Sequence, residues 1–518
     1  MTTDGDVPAA MTFELLKSVP ASAAAAAAAR LGRLALGGRK SVIDTPNYFA
    51  ITSRGVVPHV SPDNVARHLK TGGAYMALED FIERPQQNLE RRPPIYDHPS
   101  PNGRPLHSFT ALPTSLITVL SARRLPAVPA PLGNSNRSVS IFTSTGFQVL
   151  TTKDYQAAVE ALRPDIAIPL ADLTHKELTP TSKRALRMAE RTDDWVREWF
   201  ADQPDTNSPN PIATFAPVLP VSYSLQWEYI ERLSEDLISH LSGLAIYDAD
   251  ILPDLTSSTS YGNLNLLPRL SVAVPASPHH MLRQVSLGMD LFTLPFLNAV
   301  SDAGIALTFS FPPPAQAPSS DILPLGIDMS STEHQTSLAP LAANCTCYAC
   351  TNHHAAYVQH LLSAREMLGW TLLQLHNHAV VAAFFAGVRR TLAQEDGEAA
   401  FEAARARFYA VYDPELPAGT GERPRARGYH FKSQGGEGKR NKPGWSKLDE
   451  AEAEAKAQAT GARAGDVAGG EESKPDADVA DALQRLLVSG GIDTPVTPPD
   501  ADAEELCHKG FAEVDKQQ

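Results

Sequence analysis

Three cysteines fall within six residues of this 518-residue chain, at Cys345, Cys347 and Cys350, while the fourth, Cys507, lies far from them. Two disulfides would need four partners close together, and a chain this poor in cysteine is not typical of an oxidised scaffold. Three thiolates and one imidazole, by contrast, make a closed tetrahedral zinc site with no position left for a catalytic water. The cysteine spacing therefore predicts one structural zinc ion.

The fourth ligand of such a site would be a histidine near the cysteines, and five candidates follow them in the sequence. They are His353, His354, His360, His376 and His378. From Tyr357 to Leu375 apolar residues recur at helical spacing, with Gly369 as the only weak point, which predicts one long buried helix. A histidine on this helix can close the site only if it faces the cysteine loop, and the spacing alone does not choose among the five.

The remaining elements must form the scaffold that positions these ligands, and apolar, β-branched runs alternate with helical patterns along much of the chain. The predicted strands are 138–142, 165–170, 212–219, 244–247, 270–274, 289–292 and 305–309. Strand and helix in alternation predict a parallel sheet covered by helices, for which a barrel and an open doubly wound sheet both fit. No G-x-G-x-x-G follows a strand, so a dinucleotide-binding fold has little support.

The pattern Cys-x-Cys-x-x-Cys, followed after twenty-five residues by His376-Asn377, resembles the zinc motif of the tRNA-guanine transglycosylases, enzymes that exchange a guanine base in tRNA. The resemblance implies that Cys345, Cys347, Cys350 and His376 bind the zinc ion. It extends over roughly residues 29 to 400. It also implies an α/β fold, a (β/α)8 TIM-type barrel with the zinc-binding subdomain inserted near its end.

Composition and the resemblance divide the chain into three parts. Residues 1–28 are an alanine-rich segment, 29–415 are the barrel with its zinc subdomain at about 340–395, and 416–518 are a low-complexity tail that we predict to be largely disordered. Within the barrel part, residues 79–136 are rich in Pro, Arg and Asn, which predicts long surface excursions.

Two features stand out in the tail. Residues 423–447 contain eight Lys and Arg interleaved with three aromatic residues, which fits either an RNA-contacting arm or a solvated linker. Val479, Leu483, Leu486 and Leu487 share one helical face, which fits either a docking helix or a marginal, solvated one.

Charge and targeting signals limit the partners and the compartment. The formal net charge is -14, of which residues 448–518 carry -11 and residues 1–447 only -3. A nearly neutral body can still present a basic face, so the charge does not exclude a tRNA partner. Few cysteines, no apolar run long enough for a membrane span and no arginine-rich leader predict a cytoplasmic protein. A peripheral association with the outer surface of mitochondria stays an open alternative.

The reactive groups of an α/β barrel lie at the carboxyl ends of its strands, and base exchange needs two carboxylates there. One attacks the ribose anomeric carbon as guanine leaves, and the other assists proton transfer. The stretch from Gly288 to Thr293 resembles the family's nucleophile stretch, but Thr293 stands at the nucleophile position. The stretch from Thr143 to Gln148 resembles the one that opens with the second aspartate, and Thr143 stands in its place.

Other positions of the pocket also bear on activity. Asp290 matches the first aspartate of the family's stretch, and we predict a structural role for it. The guanine-reading aspartate corresponds to Ala171 or, with a slip of one residue, to Asp172. The loss of both catalytic carboxylates predicts a chain with no catalytic residues of its own.

The combination of a retained zinc motif and two replaced catalytic aspartates resembles the non-catalytic branch of this family. That branch implies an accessory subunit that forms a heterodimer with a catalytic queuine tRNA-ribosyltransferase subunit and acts on tRNA. The pair would exchange guanine for queuine at the wobble position of the tRNAs for Asp, Asn, His and Tyr. Two alternatives remain open. One is a self-sufficient enzyme that uses Asp290, or Asp172 with Asp248, and the other is a zinc-stabilised RNA-binding or scaffold protein without a transglycosylase partner.

Overall fold

The computed structural model describes the chain between Met11 and Pro424, with gaps. The described residues are 11–17, 29–37, 42–82, 93–130, 133–144, 146–174, 180–201, 212–257, 261–314, 322–421 and 423–424. The features predicted for the tail, in residues 425–447 and from Val479 to Leu487, lie outside these residues. The division of the chain into three parts therefore stays a prediction.

Fifteen strands occur in the described residues. In chain order they are β1 (Met11–Lys17), β2 (Leu31–Leu36), β3 (Val42–Thr45), β4 (Asn47–Ile51), β5 (Gly73–Ala77), β6 (Ile117–Ser121), β7 (Ser138–Thr143), β8 (Gly146–Thr151), β9 (Ile166–Ala167), β10 (Ala213–Val218), β11 (Gly243–Ile246), β12 (Arg269–Ser271), β13 (Leu291–Thr293), β14 (Ile305–Leu307) and β15 (Gly326–Asp328). Eight of them close a barrel in the order β4, β5, β6, β9, β10, β11, β12, β13, and β13 pairs back with β4. Every pairing in the barrel is parallel, which confirms the α/β barrel that the resemblance implies.

Successive side chains of a barrel strand point alternately into the barrel and outwards to the helices, because side chains alternate in direction along a strand. In β4, Phe49 belongs to the buried cluster inside the barrel, whereas Tyr48 and Ala50 pack in the outer layers. Leu34 and Ile43, from the antiparallel sheet β1–β2–β3, join the inner cluster. Because β3 leads directly into β4, this small sheet closes the amino-terminal end of the barrel and leaves the carboxyl-terminal end for a site.

Helices surround the barrel. In chain order they are α1 (Pro62–His68), α2 (Pro105–Thr110), α3 (Thr152–Leu162), α4 (Ser182–Ala201), α5 (Tyr223–Glu235), α6 (Leu252–Ser257), α7 (Gly262–Asn265), α8 (Pro278–Ser286), α9 (Phe296–Asp302), α10 (Tyr348–Asn352), α11 (Ala355–Ser363), α12 (Met367–Leu392) and α13 (Gly397–Val411). The 26-residue α12 is the longest of them, and its Phe384 and Phe385 are fully buried against the barrel layer.

Strand pairing corrects several expectations drawn from the sequence. Residues 138–142 and 305–309 do form strands, but β7 and β14 pair antiparallel with β8 and β15, outside the barrel. The barrel instead contains β5 and β6, two strands that the sequence did not predict. β6 lies within residues 79–136, for which the composition predicts surface excursions. The composition of residues 79–136 did not reveal β6, because this strand has only five residues, all buried, and Pro- and Arg-rich segments flank it. In the alanine-rich segment, β1 pairs with β2.

The single long helix expected from Tyr357 to Leu375 is two helices. The chain breaks between α11 and α12, where Arg365 has a φ of 59°. Gly369 lies where α12 passes α11, since a Cβ atom there would be 3.0 Å from Leu362 Cδ2. Apolar periodicity could not show this break because both helices bury the same residue types.

One helix of the described residues, α12, is long and apolar enough to cross a membrane by its length and composition. Its most apolar window is 72% buried inside the protein. Burial of this extent is typical of a core helix.

Candidate metal centre and barrel mouth

The cysteine loop and α12 meet to form a cluster of four side chains that could hold a metal ion. Cys345 lies in the loop before α10, Cys347 caps the amino end of α10, and Cys350 lies within it. His376, in α12, is fully buried. One ligand atom of each residue lies within 4.8 Å of all the others. Of the five candidate histidines, the fold brings His376 to the cysteines.

Distances within the cluster suit a tetrahedral metal ion. Nδ1 of His376 lies 3.7 Å from Cys345 Sγ, 3.5 Å from Cys347 Sγ and 3.4 Å from Cys350 Sγ. A tetrahedron with zinc–sulfur bonds of about 2.3 Å and a zinc–nitrogen bond of about 2.0 Å has sulfur–nitrogen edges of about 3.5 Å. Both the donor atoms and their spacing therefore fit a zinc ion.

The backbone of β14 orients the histidine ligand. Nε2 of His376 lies 2.8 Å from the carbonyl oxygen of Leu307 and donates to it, which leaves Nδ1 to bind the metal. Asn377 holds the same strand, because its Oδ1 accepts from the Leu307 N–H and its Nδ2 donates to the Ile305 carbonyl, each at 2.9 Å. His376 and Asn377 are thus both hydrogen-bonded to β14, which fixes the orientation of the candidate ligand.

Hydrogen bonds within the cluster shift the pKa values of its members. Hydrogen bonds from Cys345 and Cys347 hold the pKa of Cys350 far below its ordinary value. Burial lowers the pKa of His376, but hydrogen bonds to Cys345 and Cys350 more than offset this effect and raise it to about 9. A metal ion must displace the proton from this imidazole, so protons and metal compete for the site.

At the mouth of the barrel, Thr293 is the last residue of β13 and is fully buried. Its hydroxyl donates to the carbonyl oxygen of Ser271, in the neighbouring β12, at 2.8 Å. The side chain therefore already serves as a donor within the barrel wall.

Thr143 ends β7 and is also fully buried. Its hydroxyl donates to the Gly146 carbonyl at 2.9 Å and accepts from Gln148 Nε2 at 3.0 Å. These bonds join β7 to β8, so this hydroxyl too has a structural role. Neither threonine supplies the carboxylate that base exchange needs.

Asp290 lies at the opposite end of the barrel from the mouth. It directly precedes β13, at the amino-terminal end of that strand. Its fully buried carboxylate forms an ion pair with Arg30 and accepts the Arg269 N–H at 2.8 Å. This placement supports the structural role predicted for Asp290, because substrates of α/β barrels bind at the other end.

Asp172 and Asp248, the other two carboxylates considered for catalysis, both have structural partners. Asp172 is fully buried and forms ion pairs with Arg184 and Arg191. Asp248 accepts a backbone N–H two residues ahead and so caps a short helical turn. These contacts argue against a rearranged active site.

A partly open cleft lies at the mouth, near the ends of β5, β6, β9 and β11. Its lining includes Tyr75, Arg123, Ala171 and Tyr247, and its volume is about 30 Å³.

Comparison with known proteins assigns the chain to a family. The family model for queuine tRNA-ribosyltransferase matches residues 25–413. The chain belongs to the queuine tRNA-ribosyltransferase family. The match includes the whole barrel and the Cys–His cluster, and it confirms the resemblance that the cysteine motif indicates.

Several members of the queuine tRNA-ribosyltransferase family that resemble this chain share one name, queuine tRNA-ribosyltransferase accessory subunit 2. The Schizosaccharomyces pombe protein is 33% identical over 413 residues, which is 79% of this chain and 87% of the relative. The Drosophila persimilis protein is 28% identical over 387 residues, 71% of this chain and 87% of the relative. The Ixodes scapularis protein is 27% identical over 390 residues, 70% of this chain and 94% of the relative.

Some residues of these sites were missed by the sequence argument. The Leu307 carbonyl, which orients His376, is a backbone group, and no sequence pattern signals it. The Arg123-Arg124 pair follows β6, a strand that the sequence did not reveal, and only its position after that strand could have marked it as part of the mouth.

Proposed function

We propose that this chain acts in the cytoplasm as the non-catalytic accessory subunit of a queuine tRNA-ribosyltransferase, in a heterodimer with the catalytic subunit. The pair would exchange guanine for queuine at the wobble position of the tRNAs for Asp, Asn, His and Tyr. One observation carries the proposal: Thr143 and Thr293 occupy both positions where the resemblance implies catalytic carboxylates. The name that the relatives share, accessory subunit 2, supports it.

A threonine hydroxyl cannot do the work of either carboxylate. Attack on the ribose carbon needs a nucleophile that is anionic near neutral pH, and an alkyl hydroxyl needs a neighbouring base to become one. Here the Thr293 hydroxyl donates to a backbone carbonyl, and the Thr143 hydroxyl is held within its hairpin.

A zinc ion bound by Cys345, Cys347, Cys350 and His376 would have a structural role. Four protein ligands leave no position for water or substrate, and the ion would tie the cysteine loop to α12. Three apolar side chains, in α10 and at the start of α12, are largely exposed: Tyr348, Met367 and Leu368, at 41%, 54% and 43%. Exposed apolar side chains are frequent in interaction sites, so we propose that the catalytic subunit contacts this region.

Base exchange into tRNA tests the proposal. Labelled guanine or queuine is incubated with tRNA and one of three samples, namely this protein alone, the catalytic homologue from the same source alone, or both at equal concentration. We expect exchange from the mixture that exceeds the exchange by the homologue alone, and none from this protein alone. A Thr293→Val variant, which removes the hydroxyl and keeps the shape, should support the mixture as well as the wild type does.

Two outcomes would contradict the proposal. Exchange by this protein alone would show a working nucleophile in the chain, and the search for it would restart at Asp290. Tight tRNA binding by this protein alone, with steep salt dependence and no gain in exchange from the mixture, would instead indicate an RNA-binding protein without a transglycosylase partner.

A further inference from the structure

The segment that follows α13, residues 413–421, is bound to the stretch of chain that contains β15, and we call this segment the strap. At its start, the Asp413 N–H donates to the Leu323 carbonyl, three residues before β15, at 2.9 Å. Near its end, Thr420 donates to Oδ2 of Asp328, from its backbone N–H at 2.8 Å and from its hydroxyl at 2.5 Å. Asp328 is the last residue of β15. The strap is therefore held at both of its ends by the chain on either side of that strand.

Glycines on both sides of Thr420 let the strap approach its neighbours closely. A Cβ atom at Gly419 would lie 1.9 Å from the Ala303 carbonyl oxygen, just before β14. A Cβ atom at Gly421 would lie 2.0 Å from Ser330 Oγ, just after β15. Such an approach of backbone to backbone is open only to glycine, so these residue types fit the strap to this surface.

The strand that the strap holds is paired with the strand that orients His376. β15 forms a two-stranded sheet with β14, in which Ile305 pairs with Asp328 and Leu307 with Gly326. The carbonyl of Leu307 accepts from Nε2 of His376, as described above. Consecutive contacts therefore lead from the strap through β15 and β14 to the Cys–His cluster.

The carboxylate of Asp328 serves both the strand and the strap. Its Oδ1 accepts the Ser330 N–H at 2.9 Å, and its Oδ2 accepts from Thr420. Burial raises the pKa of Asp328, but the hydrogen bonds from Thr420 and Ser330 more than offset this effect and hold it below its ordinary value. The carboxylate is therefore ionised at neutral pH, and hydrogen bonds to an ionised acceptor are about twice as strong as neutral ones.

We propose that the strap positions His376 for metal binding, because Thr420, bound to Asp328, holds β15 against β14 and so fixes the Leu307 carbonyl. Asp328 and Thr420 are positioning residues, since they act on the histidine only through the two strands. The family model ends at residue 413, so its match does not include Thr420. The inference depends neither on a partner subunit nor on tRNA.

The rate of zinc release from the full-length protein tests this inference. The protein is loaded with one zinc ion and mixed with an excess of a chromogenic chelator, whose absorbance reports the released metal. Loss of a group that orients a metal ligand typically lowers metal affinity about 10–100-fold. Thr420 acts through further contacts, so we expect zinc release about 3–10-fold faster in Thr420→Val than in the wild type.

A second variant displaces the strap by another route. Gly419→Ala leaves Asp328 and Thr420 in place but forces the strap away from the Ala303 carbonyl, and it should release zinc at least as fast as Thr420→Val. Release at the wild-type rate from both variants would overturn the proposal.

A control separates positioning from general stability. Val285→Ala removes two methyl groups from a fully buried side chain of α8, in a different core cluster from that of the Cys–His region, and lowers the stability of the whole protein. We expect Val285→Ala to release zinc at the wild-type rate, even where its Tm falls as far as that of Thr420→Val. Equally fast release from Val285→Ala at the same loss of Tm would show that the strap acts through stability alone.

Hydrogen exchange tests the coupling in metal-free protein, so this readout does not require zinc to be the metal. The Leu307 N–H donates to Asn377 Oδ1 within the same arrangement, and it should exchange several-fold faster in Thr420→Val and Gly419→Ala than in the wild type. Amides of β10, in the barrel, are the internal control and should exchange at equal rates in all three proteins. Faster exchange in the strap without any change at Leu307 would overturn the proposal.

Discussion

At the residue scale, each of the four cluster side chains contributes a single ligand atom, and three ligands hold zinc far less tightly than four. Cys347 also accepts the Cys350 N–H as the cap of α10, a role that serine performs well. Cys347→Ser therefore separates the two roles. We expect it to keep the helix cap, to lose the metal, and to lower Tm by about 5–10 °C.

Elemental analysis of the purified protein checks this expectation, with about one zinc per chain for the wild type and little for Cys347→Ser. Cys507→Ser, which removes the thiol outside the motif, is the matched control and should keep its zinc. Unchanged zinc content in Cys347→Ser would refute the proposed ligand set.

His378 makes stability depend on pH. It is fully buried, its Nδ1 lies 3.0 Å from the Tyr48 hydroxyl, and burial lowers its pKa to about 4. In the unfolded chain the imidazole takes up a proton near its ordinary pKa of about 6.5, whereas in the folded protein it stays neutral at that pH. The folded state is therefore most favoured above about pH 6.5, where His378 is neutral in both states. This stabilisation is lost as the pH falls from about 6.5 towards 4.

Chemical denaturation at pH 7.5 and at pH 5 measures this effect. We expect the free energy of unfolding to fall by about 2 kcal/mol more for the wild type than for His378→Gln. Both proteins keep the Cys–His cluster, so loss of metal in acid cancels in the comparison. His240→Gln, at an exposed histidine, should keep the wild-type pH profile. An equal fall for the wild type and His378→Gln would show that His378 does not control this dependence.

At the element scale, α12 carries His376 of the Cys–His cluster and packs against the barrel, and its position depends on a close approach at Gly387. A Cβ atom at Gly387 would lie 1.8 Å from the carbonyl oxygen of Phe311. In an ordinary helix Gly→Ala stabilises by about 1 kcal/mol. Here we expect Gly387→Ala to lower the free energy of unfolding by about 2–3 kcal/mol, because the helix must shift away from a backbone atom.

Urea denaturation measures the sign as well as the size of this change. Ala383→Gly, at an exposed position of the same helix, is the control and should cost about 1 kcal/mol from helix propensity alone. If Gly387→Ala stabilised the protein, α12 would not pack as closely on the Phe311 backbone as described.

At the scale of the whole molecule, the surface beside the Cys–His cluster should determine partner binding. We expect Leu368→Asp to weaken binding to the catalytic homologue at least tenfold, which corresponds to about 1.4 kcal/mol, and to leave the zinc content unchanged. Titration calorimetry with the homologue measures the affinity.

Leu266→Asp provides the matched control for this surface. Leu266 is 63% exposed and follows α7, away from the Cys–His cluster in the sequence. The control should bind the homologue like the wild type. Equal affinities for all three proteins would place the interface elsewhere.

The amino-acid sequence by itself indicated the Cys–His cluster and, through a family resemblance, the kind of fold. Cys345, Cys347 and Cys350 lie within six residues, and together with His376-Asn377 they resemble the motif of a family whose model matches residues 25–413. The alternation of apolar runs and helical patterns determined a parallel sheet in the same way, because these signals lie in short stretches of chain.

Tertiary structure alone decided where the polar groups lie and whether they are paired. When the barrel closes, Leu291 of β13 pairs with Asn47 of β4. Asp290, which precedes Leu291, therefore lies at the closed end of the barrel, where it forms an ion pair with Arg30. The ion pair of Asp172 with Arg191 and the hydrogen bond of Arg124 to Glu79 likewise depend on how distant parts of the chain pack together. Such contacts join residues far apart in the chain, so no local pattern specifies them, and only the packing of the whole barrel does.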